Sequence, residues 1–212
     1  IYLLISIFLN LIVTSNLYSQ DLFNFNVSEL EITQNGNLYK GLNGGEILTS
    51  DGVSIVSENF EYNKLATSLI AYKNVELKDS KKNIVIYADE ILYIKNQEFI
   101  VAKGNVTLND TAADTIINAS KISYSKNKEE IIAIGQVKFI DSKKDIIIES
   151  EKITYLKKIN KFITEGITKG RVYSKYNFDS KNITLYKDEM LLSSSDKTII
   201  IDNKFTLFEL SS

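Results

Sequence analysis

The sequence predicts an all-β protein in which antiparallel strands are built from a repeat of 31 residues. The first observation is a set of residue columns that recur at this interval without a gap, as in repeat architectures. The second is the alternation of apolar and polar residues with period two, which indicates strands with one buried face. The third is the absence of proline and of any long helical period beyond the first segment. The columns include Tyr62, Tyr93, Tyr124, Tyr155 and Tyr186, then Gly104, Gly135 and Gly166, and then Asp79, Asp110 and Asp141.

The composition favours one domain with a sizeable core and excludes several classes of function. Of the 212 residues, 44% are hydrophobic and 25% are charged, and the formal net charge is −2. A balance this close to neutrality does not predict a nucleic-acid partner. The chain has no cysteine and no histidine, which removes Cys and His nucleophiles, His general bases and most zinc or iron sites. A carboxylate-only or Ser/Lys enzyme remains possible, but the usual catalytic residues are mostly absent. We expect no enzyme activity, no catalytic residue, no metal and no cofactor.

Residues 1–19 have the pattern of an export signal. Residues 1–13 are nearly all apolar and small or polar residues follow, so cleavage is expected after Ser19. The run is shorter than the ~20 residues that a membrane-spanning helix needs. The chain begins with Ile1, so the start of the signal is missing, and an uncleaved anchor stays as the alternative. We expect residues 20–212 to form one domain outside the cytoplasm.

Residues 23–52 are the least regular part of this domain. Alternation at residues 23–27 predicts a half-buried strand. Asn35-Gly36 and Asp51-Gly52 are typical of type I′ hairpin turns, in which both residues have positive φ. Three glycines at residues 41–45 indicate a loop or bulge, and no phosphate-binding motif follows them.

From Val53 onward each repeat has two strand-like halves. The clearest copy runs from Ile84 to Tyr93 and then from Ile100 to Leu108, with a polar turn between the two halves. We expect the tyrosine column to pack in the core and the glycine column to bend the sheet. The lysine-rich turns are expected to be solvated hairpin tips.

The repeat pattern changes toward the end of the chain. Thr168, Lys169 and Gly170 replace the apolar residues of the fourth repeat, and the fifth repeat regains them at residues 198–202. A further repeat begins at Phe208 and stops at Ser212. We expect the domain to be truncated there in mid-repeat.

The pattern "small-x-x-Ile-x-Tyr, polar turn, Ile-x-Ala-x-Gly-Asn-Val-x-Leu" resembles the OstA-like repeat of lipopolysaccharide transport proteins. The clearest copy is Ala88 to Tyr93 followed by Ala102-Lys103-Gly104-Asn105-Val106, and the next is Ala119 to Tyr124 followed by Gly135-Gln136-Val137. The resemblance covers residues 53–212, and residues 23–52 more weakly. It implies an antiparallel β-jelly roll folded as a V-shaped trough.

The resemblance also implies a function and partners. In this family the acyl chains of lipopolysaccharide lie along the apolar interior, and like domains join by edge-strand pairing into a bridge across the periplasm. In this chain the lining of the trough would consist of Ile86, Ile91, Ile100, Ala102, Val106, Leu108, Ile117, Ile122, Ile131, Ala133, Val137 and Phe139.

Three kinds of family member have such a domain: a soluble bridge protein, a protein anchored in the inner membrane and an outer-membrane assembly protein. The stop in mid-repeat favours the last of these, so we expect a periplasmic location at the outer membrane. The further partners would then be an outer-membrane β-barrel in the same chain and the lipoprotein plug of that barrel.

Two other classes of function remain as alternatives. A structural or adhesive exported repeat protein would have the same strands without a lipid cargo. A polysaccharide-processing enzyme would need paired carboxylates that face a cleft. Asp89-Glu90 and Glu129-Glu130 are adjacent acidic pairs, but neighbours on a strand point to opposite faces, which argues against this third class.

Overall fold

The computed structural model describes residues 22–204 and 206–210, which form sixteen strands and three short 3₁₀ turns. The predicted signal segment, residues 1–19, lies outside the described residues. Within these ranges no helix is long and apolar enough to cross a membrane. The strands are β1 (Phe23–Thr33), β2 (Leu38–Thr49), β3 (Val53–Ser57), β4 (Asn59–Asn63), β5 (Ser68–Asp79), β6 (Ile84–Ile94), β7 (Phe99–Asp110), β8 (Thr115–Ser125), β9 (Glu130–Asp141), β10 (Ile146–Leu156), β11 (Lys161–Val172), β12 (Tyr176–Lys181), β13 (Ile183–Tyr186), β14 (Leu191–Ser194), β15 (Thr198–Asp202) and β16 (Leu207–Leu210).

All the described strands belong to one antiparallel sheet whose neighbours largely follow chain order. The long strands β5 to β11 pair in sequence, each with the one before it and the one after it. Near the ends of the sheet a long strand is replaced by two short ones, so that β2 pairs with both β3 and β4, and β11 pairs with both β12 and β13. Each 31-residue repeat supplies two adjacent long strands of this sheet.

A line of β-bulges crosses the middle of the sheet and divides each long strand into two halves. The register shifts between Tyr72 and Val75 in β5, between Lys103 and Val106 in β7, and at matching places in the neighbouring strands. The glycine column lies on this line, with φ of +75° at Gly104. Left-handed backbone suits glycine, and bulges increase the bend of a strand. The predicted bend is therefore confirmed, and we call this line the crease.

The crease folds the sheet into two layers that pack face to face. The aspartate layer contains the strand halves that end at Asp79, Asp110 and Asp141, and the lysine layer contains the halves that end next to Lys95, Lys126 and Lys157. Phe139 of the aspartate layer packs on Phe162 of the lysine layer, with ring centroids 4.2 Å apart. Alternate side chains of both layers form one buried core, so the predicted all-β antiparallel jelly roll is confirmed.

The hairpin turns near the start of the domain differ from the predicted type I′ geometry. Pairing of Thr33 with Leu38 leaves four residues in the first turn, and three of these (Gln34, Asn35 and Gly36) have positive φ. In the second turn only Gly52 has positive φ. Its neighbour Asp51 instead accepts a hydrogen bond from the Thr49 hydroxyl. Both dipeptides lie in turns as predicted, but the loops are longer than two residues.

The fourth repeat keeps its inward-facing strand although its residues are polar. Thr168 is fully buried, and its hydroxyl lies 2.7 Å from that of Thr164 and 3.2 Å from that of Ser150. Phe178 of the next strand occupies the space beside Gly170, where an added Cβ would lie 2.1 Å from the ring. Hydrogen-bonded hydroxyls and one large ring thus replace the missing apolar side chains.

Candidate functional site

The structure brings all twelve predicted lining residues together in one interior. They lie on alternate positions of β6, β7, β8 and β9 and face inward from both layers. Each of them is at most 1% exposed, so the interior is closed and filled by side chains in this structure. Contact of these residues with lipid stays a prediction. The residues are Ile86, Ile91, Ile100, Ala102, Val106, Leu108, Ile117, Ile122, Ile131, Ala133, Val137 and Phe139.

The same apolar interior continues beyond the predicted residues in both directions. Toward the start of the domain it ends in a cluster of aromatic rings, in which Phe23 and Tyr62 have centroids 4.7 Å apart and Phe25 stacks on Tyr39 at 5.6 Å. Toward the other end Ile200 is only half-buried and its partner in register, Phe208, is 47% exposed. The interior is therefore closed by rings at one end and less covered at the other.

A series of ion pairs joins the two layers on the side opposite the crease. Four lysines at the turns of the lysine layer meet four aspartates at the turns of the aspartate layer. We call this series the ion-pair seam. Its pairs are Lys95 with Asp51 at 2.5 Å, Lys126 with Asp79 at 3.0 Å, Lys157 with Asp110 at 2.7 Å, and Lys187 with Asp141. Lys126 also reaches Asp51, at 2.9 Å, and so links two neighbouring pairs.

Each aspartate of the repeat column has two separate roles in the seam. Its Oδ1 atom accepts backbone N–H groups of its own turn, from Lys81 and Lys82 at Asp79 and from Ala113 at Asp110. Its Oδ2 atom faces the lysine of the opposite layer. The side chain of Asp79 is fully buried and that of Lys126 is 6% exposed. One carboxylate thus holds the turn in shape and also holds the two layers together.

The electrostatics of the seam agree with this geometry. Burial alone would raise the pKa of the Asp51 carboxyl, but hydrogen bonds from Lys95, Thr49 and Lys126 outweigh it and hold that pKa well below its usual range. Burial would lower the pKa of Lys126, but the Asp51 and Asp79 carboxylates outweigh it and raise that pKa. Both partners are therefore charged at neutral pH. Burial also raises the pKa of Tyr93, whose hydroxyl lies 3.2 Å from Asp51.

The repeat columns include the aspartates of the seam, whereas its lysines were not predicted. The predicted solvated tips are found at Lys81 and Lys143 of the aspartate turns, which are exposed. Lys95, Lys126 and Lys157 instead turn inward and are mostly buried. The available signal was their spacing, because these three lysines also lie 31 residues apart.

Three residues of the two acidic pairs have partners of their own in the structure. Asp89 accepts a hydrogen bond from the Asn105 amide at 3.0 Å, and Glu90 forms an ion pair with Lys103 at 2.9 Å. Glu129 forms an ion pair with Lys82 at 2.6 Å, and this contact runs beside the seam. In the part of the chain that the structure describes, no three acidic side chains gather closely enough to hold a metal ion.

Comparison with known proteins finds similarity among solved structures. No protein-family model and no curated protein matches the chain. One similar structure is the crystal structure of LptH from Pseudomonas aeruginosa, the LptA-homologous periplasmic component of the conserved lipopolysaccharide transport device. The TM-score is 0.49 at 13% sequence identity, and the similarity covers 63% of this chain and 98% of that chain.

Proposed function

We propose that this domain transports lipopolysaccharide by holding its acyl chains between the two layers of the sheet. The observation that carries this proposal is one continuous apolar interior, shared by every long strand and lined by the residues that the OstA-like repeat pattern marks. Acyl chains need apolar surroundings, and a row of inward-facing side chains crosses the strands from one repeat to the next. From β5 to β11 this row is about 30 Å long, because neighbouring strands lie about 4.8 Å apart. That length accommodates an extended acyl chain.

The charged and polar side chains on the outside of the sheet suit a domain that carries lipid through water, although aliphatic side chains such as Ile134 and Ile167 are exposed there too. Along β7, for example, Lys103 faces outward beside the buried Ala102, and neighbouring strands are linked outside by contacts such as Thr107 to Asn118 at 2.9 Å. The carrier would thus keep the acyl chains away from solvent and remain soluble itself. This division of the two faces is what the transport function requires.

A second candidate function has its own observation. The interior is filled by side chains, as in an ordinary core, and neighbouring side chains bury each predicted lining residue. A structural or adhesive repeat protein would have such a core and would never open it. The two candidates therefore differ in whether the interior admits lipid at all.

Photo-crosslinking in cells separates the two functions. A small aliphatic residue with a diazirine group replaces Ile117, which faces inward, and in a second variant it replaces Ile116, which faces outward on the same strand. Asn105, an exposed residue at the crease, provides a third position. We expect lipopolysaccharide to be labelled from residue 117 and not from 116 or 105. A folded and exported variant that gives no label from residue 117 would favour the structural repeat protein.

The proposal extends to assembly with like domains. Among the described strands, β1, β14 and β16 each have one neighbour, so both ends of the sheet present an edge. Exposed edges can accept a further strand from another domain. We propose that these edges join domains of the same kind into the bridge toward the outer membrane. Loss of binding to such a domain after Ile32→Pro in β1, whose N–H faces away from β2, with the fold retained, is the expected result.

The choice among family members stays a prediction. For the periplasmic domain of the outer-membrane assembly protein, we expect the reading frame to continue past Ser212 into a long series of strands. A stop codon within one further repeat would contradict this choice. It would leave the proposed acyl-chain binding unaffected.

A further inference from the structure

The contacts across the seam differ in kind from the contacts within each row of turns. Within the lysine layer, backbone hydrogen bonds tie each turn to the next, from Lys126 N–H to Glu98 and from Lys157 N–H to Glu129. Within the aspartate layer, Thr111 N–H and Ser142 N–H donate in the same way to Asn83 and Asp114. Each row of turns is therefore a continuous unit that resists separation of its strands.

Across the seam the described contacts are made by side chains. They are the four ion pairs, the pair of Lys82 with Glu129, and hydrogen bonds such as that from the Lys144 ammonium to the Lys187 carbonyl at 2.5 Å. Among the described residues no backbone-to-backbone hydrogen bond crosses from one row of turns to the other. The two rows can therefore part without breaking a strand pairing. The ions that separate are then exposed to water, which hydrates them.

The crease lies opposite the seam and can act as the hinge for such a movement. The strands bend there at bulges, where the ladder of hydrogen bonds is already interrupted. Two successive residues with positive φ occur on this line in β5 (Lys73 and Asn74) and in β7 (Gly104 and Asn105). A rotation about the crease changes the distance between the layers and leaves the pairing within each half-strand intact.

We propose that the ion-pair seam is the opening through which acyl chains pass into the interior, with the crease as hinge. This inference rests on the proposed transport function and adds the route by which the lipid reaches its site. Access through an end would require an acyl chain to thread lengthwise through a filled core. At one end it would also have to pass the ring cluster of Phe23, Phe25, Tyr39 and Tyr62. Access through the seam exposes the whole length of the interior at once and displaces side-chain contacts alone.

Linking the two sides of the seam by a reversible crosslink tests this route. The chain has no cysteine, so Lys126→Cys with Asp79→Cys provides one unique pair across the seam. A short bis-maleimide with a reducible disulfide in its spacer joins the two thiols, and reduction separates them again. Uptake of a pyrene-labelled fatty acid is followed by fluorescence before linking, after linking and after reduction. The same protein thus serves as its own unlinked reference.

A matched pair outside the seam controls for the chemistry. Lys103→Cys with Glu90→Cys links adjacent strands of one layer, where the native ion pair is 2.9 Å long. We expect the seam link to abolish uptake and reduction to restore it, and we expect the control link to leave uptake unchanged. If the first pair prevents folding, Lys157→Cys with Asp110→Cys repeats the test at the next position of the seam.

The possible results distinguish the opening from the function. Uptake that is as fast in the seam-linked protein as in the unlinked protein would overturn the seam as the opening, and acyl-chain binding would stand. An absence of uptake in the wild-type protein, confirmed by the photo-crosslinking experiment at residue 117, would overturn both. Loss of uptake in the control-linked protein as well would also overturn the proposal, because a constraint within one layer would then have the same effect.

Discussion

Asp110 shows how much the seam depends on a single pairing. Its side chain is 1% exposed, and its Oδ2 atom has the Lys157 ammonium as its partner at 2.7 Å. We expect Lys157→Met to lower the free energy of unfolding by about 3 kcal/mol, because it leaves a buried carboxylate without a counter-charge. Urea denaturation followed by circular dichroism measures this change. The double variant Lys157→Met, Asp110→Asn should regain most of the loss, because the asparagine oxygen still accepts the Ala113 N–H.

An exposed ion pair provides the control for the Lys157 and Asp110 variants. Lys103 and Glu90 are 54% and 43% exposed in their side chains and lie on the outside of the sheet. Lys103→Met should change stability by less than about 0.5 kcal/mol, because water already hydrates both charges. Equal losses from Lys157→Met and Lys103→Met would contradict a structural role for the seam.

The pH dependence of stability follows from the lowered pKa of Asp51. A carboxyl group whose folded pKa lies below its unfolded value of about 3.9 contributes stability above that value, and the contribution is lost as the pH falls further. We therefore expect Asp51→Asn to be less stable than wild type at neutral pH, and we expect the two curves to converge in acid below about pH 4. Denaturation at a series of pH values tests this. A difference that stays constant down to the acid limit would show that the ionised form of Asp51 is not what stabilises the fold.

At the scale of the element, the crease should respond to substitutions according to backbone conformation and available space. Gly104 and Gly166 both have positive φ, but an added Cβ at Gly104 would lie 2.2 Å from the Asp89 carboxylate, whereas nothing lies within 4 Å at Gly166. We expect Gly166→Ala to cost about 1 kcal/mol from backbone strain, and Gly104→Ala to cost more. The urea midpoints of the two variants measure the difference.

Lys73 provides the reverse test at the crease. It occupies the position of the glycine column one repeat earlier and has a φ of 70°. Glycine would relieve strain of about 1–2 kcal/mol there, but it would add about 0.5–1 kcal/mol of unfolded-state entropy. We therefore expect Lys73→Gly to stabilise the domain by up to ~1 kcal/mol, as an increased urea midpoint. A decrease would mean that the Lys73 side chain contributes more than its conformation costs.

The strands and the core could be predicted from the repeat columns, because the residues of one column lie on the same face of their strands. Ile86, Ile117 and Ile148 are buried as their alternation implies, and the glycine column marks the bend. The seam was not predicted, because the residues of each pair come from different layers. Lys126 and Asp79 meet when the sheet folds at the crease, and their separation along the chain follows from neither the repeat length nor the strand period. The packing of Phe178 beside Gly170 has a different origin, because these two residues are partners in register on adjacent strands of the fourth repeat, where the apolar columns are interrupted.

At the scale of the whole molecule, the strands, the crease and the two central pairs of the seam keep the same period. The backbone hydrogen bonds between turns recur from repeat to repeat, and each of these two ion pairs occupies an equivalent place. In such a molecule each unit touches mainly its neighbours, and stability approximates a sum over units and interfaces. The number of repeats then determines the length of the apolar interior. A domain of this design can change its length without changing its cross-section.

Removal of one whole repeat tests this modular design. Deleting residues 101–131 joins Ile100 to Ile132, which places each following residue one repeat of 31 residues earlier. Lys157 then takes the place of Lys126 opposite Asp79, and the pair of Lys187 with Asp141 is kept. We expect a folded, shorter domain with a cooperative urea transition at a somewhat lower midpoint.

Deleting only residues 101–130 is the matched control, because Ile131 then follows Ile100 and its side chain faces water. A one-residue slip reverses the faces of a strand, so this control should unfold at much lower urea or fail to fold. Equal stability of the two deletions would mean that the register of the columns does not hold the two layers together.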